Sequence, residues 1–122
     1  MKRIFSLKRN EEIGKIIQLR KYIKNDNFVV YFSLNNNLKY ARVCISASKK
    51  IGNAVTRNKI KRQIRAMVVE IFDFNINNDY IIIVKNNYIN YNFNENKCKL
   101  SDLYTRIISN TTRSDKKWKK DF

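Results

Sequence analysis

The 122-residue chain has no histidine, no proline, two glycines and two cysteines. Without histidine there is no Ser-His-Asp or Cys-His catalyst, no HExxH zinc site and no imidazole proton shuttle. The two glycines, Gly14 and Gly52, are too few for GxGxxG and too far apart for a Walker-type phosphate loop. Apolar runs such as Tyr80 to Val84 fall far short of the ~20 residues that span a bilayer. The opening, Met1 to Arg9, is basic but has no apolar stretch or small-residue cleavage site, so it does not read as a signal peptide. Cys44 and Cys98 are distant and unpatterned; with no export signal they are expected to be reduced thiols, and the protein cytoplasmic. Acids are scarce as well, 10 Asp and Glu against 26 Lys and Arg, a formal charge of +16. Self-repulsion at that charge disfavours a compact state unless an anionic partner offsets it.

What is present suits one modest domain. The chain is 43% hydrophobic and 12% aromatic, and a chain of this length buries ~65% of its unfolded surface. There is no internal repeat or long linker. Lys, Asn and Ile dominate; their codons are AT-rich, so where the charge sits carries more information than how much there is.

The chain divides into a basic lead-in, a domain over residues 1–110 and a basic, frayed tail over 111–122. Asn10 is placed to cap a short helix, with Glu11 and Glu12 in its first turn and Ile13, Ile16 and Ile17 on one face. Residues 21–27 read as a polar loop. Residues 28–34 read as a strand with Phe28, Val30, Phe32 and Leu34 on one face and Val29, Tyr31 and Ser33 on the other. The turn at Asn35-Asn36-Asn37 suits left-handed geometry, and residues 38–47 are expected to return as the second strand of a hairpin. Residues 54–72 carry the strongest helix signal, with Ile60, Ile64, Met67, Val68 and Ile71 on one stripe. Tyr80 to Val84 reads as a strand covered on both faces. A last helix is expected over about 94–109, with Asn92 and Glu95 echoing a capping box. The order α-β-β-α-β-α predicts an α/β two-layer sandwich, with helices on one face of a small sheet.

No acid lies between positions 27 and 69, a stretch that holds Lys39, Arg42, Lys49, Lys50, Arg57, Lys59, Lys61, Arg62 and Arg65. A solvated helix ordinarily mixes signs, because Glu–Lys pairs one turn apart stabilise it. Here Arg57, Lys61 and Arg65 follow one another at one-turn spacing and repel by ~0.2–0.5 kcal/mol per pair. Phosphates between them would remove that cost. At about 100° per residue the cations fill an arc nearly complementary to the apolar stripe. The helix start adds free N–H groups and a positive dipole end. Lys49, Lys50 and Asn53 lie just upstream, so they converge with Arg57, Asn58, Lys59, Lys61, Arg62 and Arg65 on one patch. A solvated basic face is the plain alternative. A membrane-surface helix is disfavoured, because the Ile stripe is already used for packing. Nucleic acid is the expected partner; composition does not separate DNA from RNA.

The motif does separate them. Residues 46–65 resemble the signature of the bacterial ribonuclease P protein subunit at Ser48, Lys50, Gly52, Ala54, Val55, Arg57, Asn58, Lys61, Arg62 and Arg65. Leu7 to Glu12, Phe28 to Tyr31 and Asp79 to Val84 are similar to other family segments, so the likeness covers about residues 3–108. The resemblance implies a fold like the second domain of ribosomal protein S5, with a left-handed βαβ crossover against the usual rule. It also implies a catalytic RNA partner that carries the chemistry with bound Mg²⁺, and a precursor tRNA whose 5′ leader is removed. The protein would supply no catalytic residue and no metal ligand. In the family a cleft beside the sheet receives the leader, and the matching positions are Ile13, Ile17, Phe28 and Tyr31. Two departures stand out. Lys59 replaces the second arginine of an Arg-Asn-Arg triplet, keeping charge but losing the bidentate fork. Ile13 and Ile17 stand where the family has aromatic residues; they pack against bases but cannot stack as rings do. Plain core is the other reading of Ile13, Ile17 and Phe28. Neither a membrane nor self-association is implied.

Three other functions fit parts of the pattern. A ribosomal or other structural RNA-binding protein would share the fold without an enzymatic partner. A compact DNA-binding protein would lay helix 54–72 in a major groove. A stand-alone nuclease lacks histidine and an acid pair near the basic patch.

Overall fold

A computed structural model describes residues 5–113, the side chains of 110–113 excepted. Its elements are α1 (Asn10–Gln18), β1 (Tyr22–Lys24), β2 (Phe28–Ser33), β3 (Arg42–Ala47), α2 (Ala54–Ile71), β4 (Asp79–Val84) and α3 (Phe93–Arg113). Short 3₁₀ turns at Lys49–Ile51 and Asn86–Asn90 complete it. The expected basic tail falls outside the described residues beyond Arg113.

The four strands form one sheet in the order β1-β2-β4-β3. β2 pairs antiparallel with β1 and with β4, and β3 runs parallel to β4. This corrects two expectations. Residues 21–27 hold a strand, β1, and β2 forms its hairpin with β1 rather than with β3. β4 separates β2 from β3 because it is the strand that can be buried on both faces: Asp79 to Ile82 and Val84 are all buried. The Asn triplet turns as expected, with Asn35 and Asn37 at positive φ. It then ties to the β4 lead-in, where Asn36 N–H donates to the Asn77 carbonyl at 2.8 Å and Asn35 N–H to Asn78 Oδ1 at 3.1 Å.

α2 and α3 cover one face of the sheet. Ile60, Ile64, Met67 and Val68 of α2 and Leu100, Leu103, Tyr104 and Ile107 of α3 meet Phe28, Val30, Phe32, Tyr80, Ile82 and Val84 in one continuous core. α3 starts with the reciprocal capping box: Glu95 N–H donates to Asn92 Oδ1 at 2.9 Å and Asn92 N–H to Glu95 Oε1 at 3.0 Å. α1 lies on the opposite face, so the helices do not share one side. There Leu7, Ile16 and Ile81 are buried, with Ile13, Tyr31, Cys44 and Ile83 packed around them. The lead-in belongs to the fold too, since Leu7 N–H donates to the Val43 carbonyl at 3.0 Å. α1 begins at Asn10 itself; Arg9 holds the cap position and makes no side-chain cap bond.

Candidate nucleic-acid interface

The cationic residues predicted from sequence are carried by α2 and the turn before it, both of them locally well specified. Asn53 caps α2, its Oδ1 accepting from Thr56 N–H at 2.9 Å. Gly52 takes φ +157°, and a Cβ there would meet Thr56 Cγ2 at 2.8 Å. Glycine therefore lets the turn close onto the helix start. Ile51 is buried and anchors the 3₁₀ turn, which leaves Lys49 and Lys50 exposed at the positive end of the helix dipole.

Along α2, Asn58, Lys59, Arg62 and Arg65 are exposed, and Arg57 and Lys61 are half-buried. None of the seven cations from Lys49 to Arg65 makes an ion pair among the described residues. The Arg57 Nε is buried without a hydrogen-bond partner, a donor left over in a protein that satisfies most of them. Arg42, from the same acid-free stretch, behaves differently. It binds Asp79 Oδ2 and Glu12 Oε2, each at 2.7 Å. Those carboxylates push the Arg42 pKa up, and the Arg42 hydrogen bond holds Glu12 below its ordinary value of 4.5. Arg42 thus clamps α1 to the sheet.

The second group of expected site residues does not stay together. Phe28 is 0% exposed and sits in the α2–α3 core, its ring edge-on to Tyr88 at 5.7 Å. Alternation along β2 points it away from Tyr31, so Phe28 is removed from the cleft. Ile13, Ile17 and Tyr31 remain on the α1 face. Ile13 and Tyr31 are half-buried there, and Ile17 is 39% exposed. The unforeseen strand adds an aromatic neighbour: Tyr22 pairs across from Tyr31, ring centroids 5.2 Å apart. Three residues of Tyr-Ile-Lys amid polar neighbours gave little periodicity from which to find it.

A cavity of about 250 Å³ lies between α2 and Ile13 of α1. Lys61 and Arg65 line it from α2, Ile13 from α1, Leu7 and Lys8 from the lead-in, and Cys44 from β3. Cys44 and Cys98 are free, and burial raises the Cys44 thiol more than nearby Lys61 lowers it. No helix among the described residues is long and apolar enough to cross a membrane.

The arrangement offers phosphates a run of cations unpaired among the described residues, with a cavity beside Lys61 and Arg65 that reaches Ile13 of α1. The family model described as Ribonuclease P matches residues 1–108. The ribonuclease P protein component of Mesoplasma florum is 39% identical over 104 residues, covering 84% of this chain and 94% of its own. That of Listeria welshimeri is 41% identical over 101 residues, covering 82% and 85%. Among solved structures, the Staphylococcus aureus RNase P protein superposes with a TM-score of 0.77 at 30% identity, covering 84% of this chain and 94% of that one. The Thermotoga maritima RNase P protein gives 0.72 at 26%, covering 83% and 96%.

Proposed function

The chain belongs to the ribonuclease P protein family, and from that membership we propose that it is the protein subunit of a ribonucleoprotein that removes the 5′ leader of precursor tRNA. The observation that carries this reading is the set Lys49, Lys50, Arg57, Lys59, Lys61, Arg62 and Arg65, unpaired among the described residues, with Lys61 and Arg65 lining a cavity that Ile13 of α1 also lines. The strip docks on the phosphates of the catalytic RNA, with Asn58 and the Asn53 Nδ2, unpartnered among the described residues, beside them. The groove at Ile13, Ile17 and Tyr31 takes the single-stranded leader. Tyr31 supplies the stacking surface that Ile13 and Ile17 lack.

The catalytic RNA would carry the chemistry, hydrolysis of one phosphodiester, with its bound Mg²⁺. Among the described residues no three carboxylates or thiols come together to hold a metal ion. The protein contributes binding: its cations offset phosphate repulsion between leader and catalytic RNA, an effect largest where Mg²⁺ is scarce. The test is reconstitution with the catalytic RNA from the same source at low Mg²⁺. Stimulated 5′ processing supports the reading. RNA binding without stimulation would instead make the chain a structural RNA-binding protein.

A further inference from the structure

The basic helix has a second flank that the leader groove does not use. Lys59 projects from the side of α2 away from Lys61 and Arg65. It lines a hollow of about 230 Å³ with Thr56, Gln63, Tyr88, Ile89 and Tyr91. The volume is below the ~300–1,000 Å³ of a small-molecule pocket and suits a single base.

The wall opposite α2 is rigid. It is the 3₁₀ turn Asn86–Asn90, held from beneath by the buried Asn27 and Asn96 and the half-buried Asn87. Asn27 Nδ2 donates to Asn96 Oδ1 at 2.6 Å, Asn87 Nδ2 to Asn27 Oδ1 at 2.8 Å, and Asn96 Nδ2 to the Tyr88 carbonyl at 3.1 Å. On this fixed turn Ile89 stands 61% exposed, an apolar side chain held in solvent. Tyr91 follows, its ring carrying Lys99 Nζ at 4.9 Å from the centroid.

The polar groups of the hollow are aimed as well. Tyr88 Oη donates to Gln63 Oε1 at 2.8 Å. Burial pushes that hydroxyl up to about 12, so it keeps its proton and its donor role. Gln63 is thereby oriented with its amide NH₂ free of partners among the described residues, ready to donate to an acceptor edge. The charge is of one sign. Lys59 and Lys99 make no ion pair among the described residues. Glu95, the only acid between positions 80 and 101, is turned onto the Asn92 N–H.

We propose that this hollow holds one unpaired nucleotide of the RNA that docks on α2, the base against Ile89 and Tyr91, an acceptor on its edge at Gln63, and its phosphate on Lys59. A base swung out of an RNA stack needs a π-face, a donor and a nearby cation, and the hollow supplies the three side by side. The site continues the strip of Lys59 and Arg62, so the nucleotide belongs to the same RNA. The inference therefore rests on the RNA docking proposed above.

The test uses the full chain and the catalytic RNA from the same source. Tyr91→Ala and Ile89→Ser should each weaken binding about five- to tenfold, the scale of one base left without its stacking partner. The salt dependence of binding should stay as steep as before, because neither change removes a charge. A photoreactive side chain at position 89 should crosslink to an unpaired nucleotide. Unchanged affinity in both variants overturns the proposal, as do crosslinks confined to paired nucleotides or to a second copy of this chain. Arg62→Ala, measured in parallel, separates the two failures. If it weakens binding while the hollow variants do not, the hollow is empty but the docking strip stands; if the wild-type chain binds no catalytic RNA, both readings fall. Ile89 is largely exposed, so an unchanged melting temperature for Ile89→Ser shows that lost affinity is not lost folding.

Discussion

The two faces of the sheet are built differently from the same four strands. The α2–α3 face is sealed: Phe28, Val30, Phe32, Tyr80 and Ile82 are essentially inaccessible and pack into the core beneath the helices. The α1 face is half-closed. Three residues are fully buried there, Ile13 and Tyr31 are partly open, and the covering helix spans only Asn10–Gln18. Its attachment is in part electrostatic, through Glu12, Arg42 and Asp79. One face commits its apolar surface to stability. The other keeps some of it, together with two tyrosines, available to a ligand. A +16 chain this small can leave the second face open because the first holds the fold.

Phe28 and Tyr31 break this comparison most sharply, since they lie three residues apart on opposite faces. Phe28→Ala should cost about 3–5 kcal/mol of stability, as for a buried phenylalanine, read from denaturant unfolding. Tyr31→Ala should unfold much closer to wild type, while leader affinity falls by the ~1–3 kcal/mol that a stacking surface supplies. If the two costs were reversed, the assignment of faces would be wrong.

Arg42→Ala comes next. It leaves the Asp79 side chain, 7% exposed, without its cation, and removing one partner of a buried hydrogen bond costs about 1–3 kcal/mol. Asn36 Nδ2, 2.8 Å from Asp79 Oδ1, keeps the loss from being larger. Because the clamp holds α1 and not α2, affinity for a precursor with a leader should drop more than affinity for the catalytic RNA. Equal losses would show that Arg42 acts on the fold alone.

Arg62→Ala should leave stability near wild type, because its side chain is exposed and unpaired among the described residues. Its effect is on salt: the slope of log affinity against log salt should flatten by roughly 0.7–0.9 for each phosphate that is no longer neutralised. An unchanged slope would remove Arg62 from the interface.

The two faces were also unequally legible in the sequence. α2 could be read almost in full, because its Ile stripe and its unbroken cations agree, although its Asn53 cap shows only in the structure. β4 could be read from its apolar run. Pairing could not. Alternation in β2 and β3 says which side chains share a face but not which strand lies next door, and β4 arrives in the chain after both. β1 is three residues long, too short for a period. The buried asparagines Asn27, Asn78 and Asn96 were hidden by the abundance of asparagine; only their partners distinguish them. For the candidate site, the strip on α2 was visible as charge without counter-charge. Phe28 takes the core reading rather than the cleft one, as the alternation that set it opposite Tyr31 already implied against the family position. Arg42 is indistinguishable in sequence from its basic neighbours; only the folded chain brings Glu12 and Asp79 to it.

The smallest expected effect concerns Glu12, and it tests whether the open face is held by charge. Its hydrogen bond from Arg42, the largest cause, lowers its pKa from 4.5. A carboxyl lowered by folding stabilises the folded form above its unfolded pKa, and that contribution is lost as pH falls through the folded value. Acidification from neutrality to below 4.5 should therefore loosen α1 before it disturbs α2. The Glu12 side chain is about a third exposed, so solvent screens the pair and the loss is small. Hydrogen exchange along α1 is a suitable readout, since it reports local opening that global unfolding misses. The Glu12→Gln variant should exchange faster than wild type at neutral pH and lose most of the further acid dependence. If α1 in that variant keeps the wild-type acid response, the clamp does not hold the helix, and apolar packing of Ile13 and Ile16 closes this face as it closes the other.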